Sequence, residues 1–200
     1  GVAMLKLDAA TPQGSQADAC VTTHSGIACT IMVADCLPVL FATQDGTAVA
    51  AAHAGWRGLA GDAASGHQGV LESVFAALTA ATAMASASKV MAWLGPCIGP
   101  SAFEVGAEVK LAFEAGQGGG GRFFVPAARG KYLADLAGLA RQRLQTLGVS
   151  QVYGNDGSDA WCTVRNPDQY FSHRRDAGSK AHAGNGFGTT GRMGALVWMT

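Results

Sequence analysis

A carboxylate, a thiol and an imidazole stand at the ends of two apolar segments early in the chain. Ala34-Asp35-Cys36-Leu37-Pro38 closes the first, and the proline, which has no N–H to give a sheet ladder, marks the break. The second closes on His53, followed by Ala54-Gly55-Trp56-Arg57-Gly58. An Asp45-Gly46 turn lies almost midway between Cys36 and His53, so antiparallel pairing of the flanking segments brings thiol and imidazole together. Such a pair supports two chemistries: zinc ligation by thiolate and imidazole, or a Cys nucleophile activated by a His base. Both residues also have a purely structural reading, Cys36 as a small buried hydrophobe and His53 as a satisfied core histidine. Asp35 argues against it, because a carboxylate inside an apolar segment is rarely buried without a partner.

Cationic groups surround this pair in sequence. Arg57 follows Gly55 and Trp56 and precedes Gly58, glycines that let backbone approach a ligand, and its guanidinium suits phosphate or a carboxylate. Arg174 and Arg175 precede a Gly- and Ala-rich stretch and can offer a guanidinium to an anion or pair with Asp176. Cys97, in Gly95-Pro96-Cys97-Ile98-Gly99-Pro100, sits in a Pro-stiffened strand exit and is a candidate to line the same pocket.

Elements that position these residues are legible as runs of β-branched and apolar residues at 2–7, 28–33, 38–42, 48–53, 90–94 and 195–199. Helical spacing is evident over 66–87, in 103–114 and in 134–147, the last with Asp135 near its start and Gly148 as its stop. The Asp-Gly hairpin demands an antiparallel pair, so the reading is an α+β fold, mixed α and β, in one domain over 1–200. Gly- and Ala-rich stretches near 116–121 and 177–190 read as mobile loops.

Composition excludes several classes. Fourteen basic residues balance fourteen acidic ones, and charged residues are only 14% of the chain. That disfavours a nucleic-acid surface or a polybasic membrane patch. Hydrophobic residues make up 48%, but 38 of the 200 residues are alanine. No apolar run reaches the roughly 18 residues of a membrane span. Five scattered cysteines without a Cys-x-x-Cys pair fit reduced thiols, and cytoplasmic residence is expected. The chain opens at Gly1 on a strand already in progress, so an N-terminally incomplete sequence is expected.

Four ordered motifs closely resemble the YfiH family, long labelled polyphenol oxidoreductase or multicopper laccase. They are Val33-Ala34-Asp35-Cys36-Leu37-Pro38-Val39-Leu40; His53-Ala54-Gly55-Trp56-Arg57-Gly58; Trp93 to Pro100 with Phe103-Glu104-Val105-Gly106; and Phe171-Ser172-His173-Arg174-Arg175-Asp176 with Gly191-Arg192-Met193. The resemblance implies a layered α-β-β-α architecture shared with the catalytic domain of cytotoxic necrotizing factor. It also implies zinc-dependent phosphorolysis of purine nucleosides with adenosine deaminase side activity. The implied partners are a purine nucleoside and phosphate, with no obligate protein partner.

By the same resemblance Cys36 and His53 are metal ligands and, with Arg57, catalytic, while Asp35, Cys97, Arg174 and Arg175 contact substrate. The family's third ligand is a His in a Gln-Val-His-Gly motif, placing it just before Gly1. His24 is a stand-in by residue type, and His173 falls where relatives often carry Tyr. Two alternatives stand beside this reading: a Cys36–His53 hydrolase or deamidase without metal, and a copper-dependent polyphenol oxidase.

Overall fold

The hairpin expected from Asp45-Gly46 organises the sheet. In the computed structural model, which describes residues 3–12, 14–61, 66, 68–82, 89–115, 119–177 and 190–200, β4 (Leu37–Thr43) pairs antiparallel with β5 (Val49–Ala54). Gly46 takes the left-handed conformation at the turn, φ 70°, and Thr47 caps the Asp45 carboxylate through its N–H and hydroxyl. The hairpin forms the centre of a six-stranded sheet ordered β1-β2-β5-β4-β6-β10. The other members are β1 (Met4–Lys6), β2 (Ala19–Thr22), β6 (Val90–Leu94) and β10 (Gln151–Gly154). Both outermost pairs run parallel and the inner ones antiparallel.

Alanine explains how the layers close. β5 buries Ala50, Ala51, Ala52 and Ala54 completely, so packing on both faces approaches the backbone closely. On one face, helices α2 (Val70–Thr82) and α4 (Leu136–Thr146) bury Leu71, Val74, Leu78, Leu139 and Leu144 in the main core. Asp135 caps α4 by accepting from Gly138 N at 2.8 Å.

A two-stranded ribbon, β3 (Cys29–Val33) with β11 (Met193–Val197), covers the other face. The alternation of β3 turns Cys29, Ile31 and Val33 inward against Cys20, Val49 and Ala51, and leaves Met32 exposed. Short α1 (Trp56–Ala60), α3 (Ala107–Ala115), α5 (His173–Asp176) and a small sheet of β7 (Glu104–Val105), β8 (Phe124–Pro126) and β9 (Tyr132–Ala134) complete the chain.

Several sequence expectations shift. The helix read from Phe103 starts at Ala107, because Glu104 and Val105 pair with Leu133 and Tyr132 as an antiparallel strand. The last strand lies at Met193–Val197, in register with β3, rather than at 195–199. Periodicity over 66–87 resolves to Val70–Thr82, with 83–88 outside the described residues. β2, β8, β9 and β10 had not been read as strands; at three or four residues each they are too short for a period-2 signal. Within the expected loop at 116–121, Gly120 heads a helical turn (Gly120–Phe123) and is buried against Phe113 and Leu139, while 116–118 lie outside the described residues. So do 178–189 of the second expected loop. No described helix is long and apolar enough to cross a membrane.

Candidate active site

The connection from β3 to β4 is held at Asp35. Its φ is 84°, a left-handed conformation that Asp tolerates better than most residues. Each carboxylate oxygen accepts one short bond: Oδ1 from the Thr163 hydroxyl and Oδ2 from the Arg174 backbone N–H, both at 2.6 Å. Its carbonyl accepts from Ile98 N at 2.9 Å. Three segments distant in sequence therefore fasten one turn, and that turn aims the next side chain, Cys36.

Register supplies the rest. Leu37 lies opposite Ala54 and Pro38 opposite His53, which sets Cys36 across from Gly55. A Cβ at Gly55 would stand 3.0 Å from Cys36 Sγ and 4.0 Å from His53 Nε2. Thiol and imidazole thus flank one point that glycine leaves open. The backbone of Gly55 is ordinary, φ −68°, so space and not conformation requires glycine there. His53 is anchored by its N–H, which donates to Asp18 O at 2.8 Å.

Burial sets the protonation of both groups. It pushes the Cys36 thiol above its usual 9.0; the Asp35 charge adds to this and Arg192 opposes it. It also holds the His53 imidazole below 6.5, with Asp18 opposing and Arg192 reinforcing the shift. At neutral pH the pair is a neutral thiol and a neutral imidazole. A thiol held up by burial is a poor free nucleophile, and a cation bound beside it would reverse the balance.

Two cavities meet here. The larger, about 380 Å³, runs past Cys36, His53 and Trp56 between apolar Ile98, Phe103 and Leu136, and bears His173, Arg174 and Arg192. The smaller, about 170 Å³, is bounded by Asp18, Gly55, Arg57 and Gly58 and shares Cys36, His53 and Trp56. Arg57 stacks over the Trp56 ring at 4.3 Å. Arg174 gives Nη1 to Glu104 O.

Arg175 is differently employed. Its guanidinium donates to Thr163 O, Tyr170 O and both Asp176 oxygens, the structural pairing that sequence had left open. Cys97 is 1% exposed and borders neither cavity; its Sγ accepts from Asn155 Nδ2 at 3.4 Å, and burial raises its pKa. His24 is exposed in the turn before β3 and borders neither cavity. Among the described residues, no third His, Cys, Asp or Glu joins Cys36 and His53 in a metal-holding group.

Sequence reasoning assigned no role to Asp18, Phe103 or Arg192. Only Arg192 carried a usable signal, an arginine between Gly191 and the final strand.

A family model described as multi-copper polyphenol oxidoreductase laccase matches residues 1–200. The purine nucleoside phosphorylase YfiH of Escherichia coli is 42% identical over 199 residues, covering 100% of this chain and 70% of that protein. A purine nucleoside phosphorylase of Pseudomonas aeruginosa is 43% identical over 185 residues, covering 92% of this chain and 65% of that protein. Among solved structures, a Neisseria meningitidis protein of family DUF152 superposes with TM-score 0.74 at 44% identity, over 92% of this chain and 64% of that one. YlmD from Geobacillus stearothermophilus does so with TM-score 0.80 at 25% identity, over 100% and 70%. The chain therefore spans about two thirds of the length of these relatives.

Proposed function

This chain belongs to the YfiH family of multi-copper polyphenol oxidoreductase laccase description, and on that premise we propose that it is a purine nucleoside phosphorylase. The observation that carries the reading is the pair of cavities converging on Cys36 and His53. The larger has aromatic and aliphatic walls for a flat base, and cationic side chains for an anion. In the reaction a phosphate oxygen bonds to the ribose anomeric carbon, the carbon–nitrogen bond to the base breaks, and the leaving base takes up a proton. Phe103 and Ile98 flank the base, and Asp35 keeps Cys36 in place.

Cys36 and His53 would hold zinc. The space beside Gly55 suits it, and thiolate with neutral imidazole is a zinc-type donor set. Bound there, zinc supplies Lewis acidity beside the cavity. The same cavity is proposed to support hydrolytic removal of the amino group of adenosine as a side reaction. Copper, the alternative metal, would take the same donors, and the metal analysis below decides between the two. The metal-free alternative, Cys36 as nucleophile with His53 as base, is disfavoured by the burial that keeps the thiol protonated. All five cysteines are unpaired, which supports a reducing, cytoplasmic setting.

The test is hypoxanthine release from inosine with and without orthophosphate, alongside metal analysis of the same sample. Phosphate-dependent release with about one zinc per chain supports the reading. Release that ignores phosphate refutes it.

A further inference from the structure

Three arginines, Arg57, Arg174 and Arg192, line the paired cavities, and a fourth, Arg175, borders neither. Arg175 is committed to Asp176, Thr163 and Tyr170. Arg57 lines the small cavity, as does Asp18. Arg174 and Arg192 both line the large one. The carboxylate there, Asp35, has both oxygens occupied by Thr163 and Arg174 N. The large cavity is thus lined by two guanidinium groups and one carboxylate, the small one by Arg57 and Asp18.

Arg192 also retains donors. Its Nη1 bonds the nearby carbonyls of Thr190 and Gly191, and among the described residues its Nε and Nη2 have no hydrogen-bond partner. Its side chain lines the large cavity together with Cys36 and His53. A guanidinium whose Nε and Nη2 are uncommitted among the described residues can recognise a tetrahedral oxyanion through paired N–H donors.

We propose that Arg192, aided by Arg174, binds the orthophosphate co-substrate in the large cavity, and that Arg57 and Arg175 do not. This rests on the phosphorolysis reading above. The attacking phosphate then lies in the same chamber as the base, beside Phe103, and the small cavity, which shares Cys36, His53 and Trp56, is left to Arg57.

Orthophosphate is titrated into the purified protein, followed by Trp56-sensitive fluorescence, and its KM is measured separately with inosine. Arg192→Ala is expected to weaken orthophosphate binding and raise its KM about 10- to 100-fold, and Arg192→Lys less, with the inosine KM within about threefold. Arg57→Ala should move the phosphate KM by less than about threefold, whatever its effect on turnover. A loss of phosphate affinity in Arg57→Ala with Arg192→Ala unchanged overturns the assignment. The direct titration keeps the two ideas apart: wild-type protein that binds orthophosphate through Arg192 but releases hypoxanthine without it supports the site and refutes phosphorolysis.

Discussion

Asp35→Ala is the most exposing single change, because one carboxylate ties two distant segments to the β3–β4 turn. Wild-type Asp35 is 8% exposed and accepts two bonds of 2.6 Å, from the fully buried Thr163 hydroxyl and from Arg174 N. A hydrogen bond to a charged group contributes about 1.5–3 kcal/mol, and alanine leaves both donors without an acceptor. Alanine also tolerates φ 84° less well than Asp. Allowing for non-additivity within one network, the expected loss is about 3–5 kcal/mol. Asn keeps the left-handed tolerance and one acceptor oxygen, and the Thr163 hydroxyl can turn to accept from its amide, so Asp35→Asn should cost about 1–2 kcal/mol. Equilibrium urea unfolding followed by tryptophan fluorescence reads both. An Asp35→Ala loss under about 1 kcal/mol, or an Asn variant as unstable as the Ala variant, would show that this carboxylate is not the clamp described.

Gly55→Ala should leave the melting temperature near wild type yet sharply reduce zinc content, since its Cβ would stand 3.0 Å from Cys36 Sγ; unchanged metal by elemental analysis refutes the shared space. Arg175→Ala should destabilise by about 2–4 kcal/mol in chemical unfolding, and Arg57→Ala by less than about 1 kcal/mol, because only the first guanidinium satisfies backbone carbonyls. Iodoacetamide should label Cys36 slowly before chelation. After chelation its rate should climb as pH rises through and beyond the usual 9.0, because burial raises the thiol and the thiolate appears only above that point. A plateau below about pH 8 in peptide mapping would refute the shift and favour an activated nucleophile.

Local features of the sequence determined the meeting of Cys36 and His53. An Asp-Gly turn at the midpoint and a two-residue alternation are enough to fix hairpin register, because each contact in a hairpin lies close in sequence. The α4 helix was legible for the same reason, with its cap and its apolar stripe written within a dozen residues. The fates of the carboxylate and the arginines were not local. Asp35 finds partners 128 and 139 residues away, and Arg175 and Arg192, both near the C-terminal end, look alike as residue types. That Arg175 is committed to Thr163, Tyr170 and Asp176, whereas Arg192 bonds only Thr190 and Gly191 among the described residues, is decided when the completed chain folds against the β3–β4 turn. Cys97 likewise sits in a motif beside the site, yet chain closure packs it behind the cavity against Asn155. Propensity and periodicity act over one turn or one strand, whereas satisfying a buried charge needs whichever donor the completed fold delivers.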